Sequence, residues 1–145
     1  MVLKKILAIL FGGMLLCTSL TVSAYAEKTS TVVESEVVPA YEIASSVMSN
    51  LSINGTTAYC TSSGSGPNTV SITVEQSLQK QGFLWLWYGV DGANWKATAN
   101  KNNISVSNSI SGLSNGKYRL KSVFTFTDKN GKSETITVYS AEKSI

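Results

Sequence analysis

The stretch Thr-Val-Ser-Ile-Thr-Val-Glu-Gln-Ser-Leu, residues 69 to 78, alternates apolar and polar side chains along almost its whole length. In an extended chain, successive side chains point to opposite faces, so Val70, Ile72, Val74 and Leu78 share one face. Mainly hydroxyl and carboxylate side chains share the other. This pattern predicts an antiparallel strand with one face in a hydrophobic core and one face in water.

The same alternation recurs along the rest of the chain and predicts further strands. The other predicted inward positions are Ile104, Val106 and Ile110, then Tyr118, Leu120, Phe124 and Phe126, then Ile136 and Val138. Residues typical of turns separate the runs, at Asn54-Gly55, residues 64 to 68, Gly82, Asp91-Gly92, Asn102-Asn103, Asn115-Gly116 and residues 128 to 131. We therefore predict an all-β domain over residues 47 to 145, an antiparallel β-sandwich of seven or eight strands.

Two features resemble those of immunoglobulin-like sandwiches. Gly116-Lys117-Tyr118 at the start of a long penultimate strand is similar to the tyrosine corner, in which the phenol bonds back to the backbone. Trp85 resembles the core tryptophan of that architecture. Leu120 stands where a true immunoglobulin domain has its second cysteine, so the resemblance implies an immunoglobulin-like fold without the disulfide.

The N-terminal residues 1 to 26 are typical of a helical secretory signal peptide. Lys4-Lys5 precede an apolar run from Ile6 to Leu16, and Ala24 and Ala26 fit the −3 and −1 positions before a cut at Glu27. Cleavage after Ala24 is the alternative site. An uncleaved membrane anchor would need roughly 20 apolar residues, and this run is shorter. We expect a secreted, extracellular protein that meets a membrane only through its signal peptide during export.

Residues 27 to 46 contain four glutamates against a single lysine, include Pro39 and lack a sustained apolar period, which predicts a flexible acidic leader. Beyond residue 26, the chain carries ten Lys and Arg against nine Asp and Glu, a net charge near +1. Nucleic-acid binders gain affinity from many phosphate contacts, so this balance argues against nucleic acid as a partner.

Cys60 is the one cysteine beyond the predicted signal peptide, so an intramolecular disulfide is not expected. In a strand, Ala58 and Cys60 share a face, and a free cysteine commonly behaves as a small buried hydrophobe. The functional alternative is a covalent dimer or a reactive thiol. We expect a monomer or a weak dimer.

Residues Phe83 to Tyr88 are all apolar or aromatic, and in an extended strand both faces would be apolar. Such a strand is either central, with Trp85 in the core, or it leaves one aromatic face exposed for a ligand. Trp and Tyr dominate binding hot spots, and polar residues follow close by. The candidate ligand-binding residues are Trp87, Tyr88, Asp91, Asn94 and Trp95.

The sequence offers no catalytic constellation. It contains no histidine, which excludes Ser-His-Asp and Cys-His sites and the commonest metal ligand. The carboxylates of residues 47 to 145 are scattered over predicted turns and polar strand faces without a paired arrangement. We expect no enzyme activity, no catalytic residues, no metal and no cofactor.

Short blocks resemble a group of small secreted proteins from Gram-positive, clostridial-type bacteria over about residues 55 to 143. The blocks are Ala58-Tyr59-Cys60, Ser77-Leu78-Gln79-Lys80, Trp85, Tyr118-Arg119-Leu120-Lys121 and Gly131-Lys132-Ser133-Glu134-Thr135. The resemblance implies a bacterial origin and brings no catalytic residue.

The leading hypothesis is a secreted, non-enzymatic interaction module that binds an extracellular protein or a cell-surface component through the aromatic segment. One alternative is a carbohydrate-binding module that uses Trp87 and Trp95 as a sugar platform. Another is a small secreted antagonist, similar to a bacteriocin.

Overall fold

The computed structural model describes residues 41 to 145, and strands account for most of these residues. The strands are β1 (Ser46–Asn54), β2 (Thr57–Ser65), β3 (Thr69–Gln81), β4 (Trp87–Ala99), β5 (Asn103–Ile110), β6 (Lys117–Asp128), β7 (Ser133–Tyr139) and β8 (Lys143–Ser144). A single 3-10 turn, Phe83–Trp85, lies between β3 and β4. The predicted signal peptide, its cleavage site at Ala26 and Glu27, and most of the predicted leader lie outside the described residues.

The strands form two antiparallel sheets. The first has the order β1-β2-β5, and the second has the order β4-β3-β6-β7, with β8 paired to the start of β6. Side chains of the two sheets meet: the Ser62 hydroxyl of the first lies 2.7 Å from the Ser122 hydroxyl of the second. The prediction of an all-β fold with two facing antiparallel sheets is confirmed. Within residues 41 to 145, no helix has the length and apolar character required to cross a membrane.

The core consists of two apolar clusters at opposite ends of the sandwich. The first cluster contains Ile43, Ala44, Ile72, Val74, Ile104, Phe124, Phe126 and Ile136. The second contains Leu51, Ala58, Cys60, Leu78, Ala93, Leu113, Tyr118 and Leu120. Nearly all inward positions that the alternation predicts belong to these clusters or pack against them, which confirms the period-two pattern.

A row of hydrogen-bonded polar side chains separates the two clusters. We call it the polar belt, and its members are Ser49, Ser62, Gln76, Asn108 and Ser122. The buried Gln76 donates from Nε2 to Ser62 at 2.6 Å and accepts from Asn108 Nδ2 at 2.7 Å. The Ser62, Ser122 and Ser49 hydroxyls continue the row at 2.7 and 2.8 Å. Since each buried side chain of the belt has a hydrogen-bond partner, the belt avoids most of the cost of burial.

The prediction that Val70 of β3 lies in the core is wrong. Val70 is 48% exposed, whereas Ile72, Val74 and Leu78 are fully buried as predicted. The pairing of β3 with β6 shifts register between Thr69 and Ser71, and this bulge turns Val70 out of the alternation. The buried position at the start of the strand belongs to Thr69 instead.

The described end of the predicted leader packs onto the sheets. Ile43 and Ala44 are buried in the first cluster. The Glu134 carboxylate accepts the backbone N–H groups of residues 42, 43 and 44 at 3.0, 2.9 and 3.0 Å. These contacts fix residues 42 to 44 to β7, although the sequence pattern assigned them to a flexible segment. The three-part division of the chain stays a prediction, because residues 1 to 40 lie outside the described part.

Candidate functional site

The segment from Phe83 to Tyr88 is a tight turn followed by a strand, and the prediction of one continuous strand is wrong. Leu84 and Trp85 both have left-handed backbones, with φ of 55° and 58°. Leu86 donates its N–H to the carbonyl of Phe83 at 3.2 Å, and Gly82 donates its N–H to the carbonyl of Leu86 at 2.8 Å. These bonds close the connection between β3 and β4 over the four residues 83 to 86, which we call the apolar turn.

All four side chains of the apolar turn are in contact with solvent. Phe83 is 79% exposed, Leu84 62%, Trp85 76% and Leu86 54%. The last cross-strand pair before the turn is Gln81 with Trp87, so the four residues lie beyond the end of the sheet ladder. The predicted core position of Trp85 is therefore wrong, because the left-handed backbone carries the indole out of the sandwich.

Folding alone does not account for this turn. Non-glycine residues in the left-handed region cost of order 1–3 kcal/mol each, and hairpins commonly place Gly, Asn or Asp at such positions. Four adjacent large apolar side chains in water add an unfavourable hydration term. Backbone strain combined with exposed apolar surface is characteristic of contact sites.

The five predicted ligand-binding residues do not form one surface. Trp87 pairs with Gln81 and Asn94 pairs with Ser77, positions on the outer face of the second sheet. Trp95 pairs with the buried Gln76, so its half-buried side chain faces the sandwich interior. The structure thus places Trp87 and Trp95 on opposite faces of the sheet.

The other two predicted site residues occupy different places again. Tyr88 pairs with Lys80, lies on the opposite face from Trp87 and is 51% exposed. Asp91 and Gly92 lie within β4, so the predicted turn between strands is wrong. Residues 90 to 93 form a bulge between the pairs Gly89 with Gln79 and Asn94 with Ser77, and the positive φ of Gly92, 73°, serves this bulge.

A stack of side chains that includes residues beyond the predicted set occupies the outer face beside the apolar turn. The Arg119 guanidinium lies 4.3 Å from the ring centre of Trp87 and 4.1 Å from that of Tyr139. Its Nε donates to Gln79 Oε1 at 2.8 Å. We call these four residues the arginine clamp. They come from β3, β4, β6 and β7, so the clamp depends on strand register, for which a single sequence carries no local signal.

Cys60 is fully buried in the second cluster, beside Ala58 on the inward face of β2. Burial raises the pKa of the Cys60 thiol to about 11, so the thiol is protonated at neutral pH. The thiolate is the reactive form, and this environment disfavours it. In the described residues, no three His, Cys, Asp or Glu side chains are placed to hold a metal ion.

No family model matches the sequence, and no curated protein matches it. Among solved structures, the chain is similar to wild-type OgpA from Akkermansia muciniphila, at 17% identity and a TM-score of 0.39. That match covers 71% of this chain and 32% of OgpA, so the chain spans about a third of its length. A catalytically inactive OgpA in complex with an O-glycopeptide substrate matches at 18% identity and a TM-score of 0.37, over 75% of this chain and 34% of that one. Likeness at this level carries no argument about activity.

Proposed function

We propose that the protein is a secreted, non-enzymatic interaction module that binds an extracellular protein or a cell-surface component through the apolar turn. The observation that carries the proposal is the exposure of four consecutive large apolar side chains on a strained backbone. Each of them is at least 54% exposed. Contiguous apolar surface of this kind generally marks an interaction site.

The geometry of the turn favours tight contact with a partner. Phe83 and Trp85 are the most exposed of its side chains, and large aromatic residues supply much of the energy in protein interfaces. The hydrogen bonds of Gly82 and Leu86 hold the backbone in one shape before binding. A preorganised loop loses little conformational entropy on binding, which leaves more of the contact energy for affinity.

A sugar platform built from Trp87 and Trp95 receives less support. The two indoles belong to opposite faces of the sheet, and the Arg119 guanidinium lies over the ring of Trp87. One flat ligand would therefore not stack on both. An antagonist that acts by contacting a receptor would use the same apolar turn, and growth inhibition of neighbouring bacterial strains would identify that role.

The proposal includes an immunoglobulin-like topology and a Gram-positive bacterial origin. The two sheet orders, β1-β2-β5 and β4-β3-β6-β7, support the topology. The Tyr118 hydroxyl donates to the carbonyl of Ser114, four residues upstream, at 2.6 Å, which is the hydrogen bond expected of a tyrosine corner. The buried tryptophan of that architecture has no equivalent at Trp85, which lies in the apolar turn.

The test compares binding of the labelled full chain to intact Gram-positive cells and to their isolated envelopes. The Phe83→Ser/Trp85→Ser double variant should lose at least tenfold in affinity, because it removes the two anchors without touching the core. The matched control is Tyr59→Ser, which removes an aromatic side chain that is 48% exposed on β2. Binding by the double variant equal to wild type, with the fold intact by circular dichroism, would overturn the proposal.

A further inference from the structure

The arginine clamp holds a positive charge that has no carboxylate partner among the residues that the structure describes. Among residues 41 to 145, the ion pairs are Lys96 with Glu75, Lys117 with Glu142 and Lys132 with Glu42. None of them includes Arg119 or Lys121. Within the same residues, the hydrogen bond from Nε to Gln79 is the one bond that the guanidinium makes, so the terminal N–H groups stay available.

Two aromatic rings flank this charge. The rings of Trp87 and Tyr139 cover the guanidinium at 4.3 and 4.1 Å, so a ligand must approach its edge. The free edge carries donors in a planar fork, a geometry that matches the two oxygens of a carboxylate. Stacking and the bond to Gln79 also fix the side chain before binding, which lowers the entropy that a ligand would otherwise cost.

A shallow depression continues from the clamp along the outer face of the second sheet. Its volume is about 440 Å³, and its lining includes Ser77, Gln79, Asn94 and Lys121. The Glu75 carboxylate also lines it, and the Lys96 ammonium at 2.7 Å neutralises that carboxylate, which leaves the charge of Lys121 unbalanced there. Lys121 lies two residues after Arg119 on β6, so both cations share one face. Hydroxyl, amide and ammonium groups in an open depression suit a ligand rich in hydroxyls, whereas a peptide would need pockets for its side chains.

We infer that the arginine clamp and this depression bind an acidic oligosaccharide, with a uronic acid carboxylate on the edge of Arg119 and sugar hydroxyls on Ser77 and Asn94. Lys121 adds a second positive charge near the carboxylate. The site is separate from the apolar turn, and it goes beyond the proposed function because it names a second surface with its own ligand class. Neither surface requires the other to bind.

Calorimetric titration of the full chain with tetragalacturonate tests this inference. The fully methyl-esterified tetramer is the matched ligand, because it has the same backbone and lacks the charge. We expect the wild-type chain to bind tetragalacturonate at least tenfold more tightly than the ester. Absence of binding, or equal binding of the two tetramers, would show that this site does not recognise a carboxylate.

Two variants with the same change of charge distinguish binding at this site from general electrostatic attraction to the protein. Lys121→Gln should weaken binding at least threefold, whereas Lys129→Gln, in the exposed turn between β6 and β7, should leave it within twofold. Arg119→Lys keeps the charge but loses the planar fork, so it should weaken binding at least tenfold with an unchanged circular dichroism spectrum. Retained affinity in Arg119→Lys would overturn the inference.

The Phe83→Ser/Trp85→Ser variant distinguishes this site from the proposed function. It should bind tetragalacturonate with wild-type affinity while losing attachment to cells. Loss of both activities would contradict the separation of the two surfaces. Stronger binding of a sulfated tetramer than of the carboxylated one would contradict the assignment to uronic acids.

Discussion

At the scale of single residues, Gly64 allows the close approach of the two sheets. A Cβ built on Gly64 would lie 3.0 Å from Phe126 Cζ and 3.1 Å from Phe124 Cδ1, closer than ordinary contact. These rings belong to the first cluster and are fully buried, so they have little room to shift.

Replacing Gly64 by alanine should therefore destabilise the protein by about 1–3 kcal/mol, the usual cost of overpacking a core. Urea unfolding followed by circular dichroism measures the change. Gly89→Ala is the control, since its Cβ would meet Ser77 Oγ at an ordinary 3.9 Å. Equal stability of the two variants would contradict the steric argument.

The buried thiol of Cys60 predicts a loss of stability at alkaline pH. Burial raises the pKa of this thiol from 9.0 to about 11, so the unfolded chain loses the proton first as the pH rises. A raised pKa contributes stability that is complete below pH 9 and disappears as the pH approaches 11, a change of up to roughly 3 kcal/mol. Urea unfolding at pH 8 and pH 11 should show this fall.

Cys60→Ala provides the control for the thiol. Any effect of alkaline pH that does not depend on the thiol is shared by wild type and variant. The fall in unfolding free energy between pH 8 and pH 11 should be smaller in Cys60→Ala. An identical fall in both proteins would show that the thiol does not couple to folding.

At the scale of elements, the connection between β3 and β4 adopts a left-handed backbone conformation that its non-glycine residues disfavour. Leu84 has a φ of 55°, where a side chain costs roughly 1–2 kcal/mol and glycine costs little. We expect Leu84→Gly to be about 1 kcal/mol more stable than Leu84→Ala, although alanine normally favours ordered structure over glycine. Thermal and urea unfolding of the two variants decide this, and a more stable Leu84→Ala would refute the left-handed assignment.

The attachment of residues 42 to 44 to β7 predicts an acid-sensitive element. Partial burial would raise the pKa of Glu134, but the three backbone N–H donors and the nearby Lys132 outweigh it and lower the pKa below its ordinary value. A lowered pKa contributes stability above the ordinary value of 4.5 and loses it as the pH falls through the value in the folded protein. Residues 42 to 44 should therefore detach in acid before the sheets unfold.

Hydrogen exchange of the Ile43 and Ala44 amides measures this detachment. Their protection should fall steeply as the pH is lowered through the titration of Glu134, after correction for the intrinsic rate. In Glu134→Gln, protection should be low at every pH and should lack this step. Leu120, whose N–H donates to Ser140 Oγ at 2.9 Å, is the internal control and should stay protected.

Within a strand, the sequence pattern predicts burial correctly where the alternation of neighbouring residues determines which side chains face the core. The alternation in β6 places Tyr118, Leu120 and Phe124 correctly in the core, because a strand buries every second residue. The pattern fails at Val70, where a bulge interrupts the alternation, and at Trp85, where apolar composition predicts burial but the backbone turns outward.

The candidate sites depend on contacts between residues far apart in the sequence. Aromatic composition predicts Trp87 as a ligand-binding residue. Arg119 and Tyr139 come close to it because β3 pairs with both β4 and β6, and β6 pairs with β7. The polar belt was missed for the same reason. Ser62 and Ser122 look like surface residues in sequence, and the hydrogen bonds that they make to each other, to Gln76 and to Ser49 make their burial acceptable.

At the scale of the whole molecule, the polar belt joins the two sheets between two apolar clusters. Gln76 of the second sheet bonds to both Ser62 and Asn108 of the first sheet, and both bonds are shorter than 2.8 Å. Gln76→Leu keeps the volume but removes both of these hydrogen bonds, so it should cost about 2 kcal/mol. Gln81→Leu, on the outer face of the same strand, should change stability by less than about 0.5 kcal/mol.

Urea unfolding of both variants gives the comparison. A loss in Gln76→Leu no larger than in Gln81→Leu would show that the belt is not needed for stability. Native-state hydrogen exchange adds a second readout, because loss of the belt should lower protection in both clusters together if it couples the two halves of the core.

The two ends of the sandwich contact different segments of the chain, and this determines where a linker or a tag can be fused without covering the candidate sites. Glu134 binds residues 42 to 44 near the turn between β6 and β7, whereas the apolar turn lies at the far end of β3, a strand of 13 residues that spans roughly 40 Å. Ile145 pairs with Gly116 at that far end. A linker fused ahead of Tyr41 would leave the apolar turn and the arginine clamp open to solution, while a tag after Ile145 would emerge beside them and obstruct access.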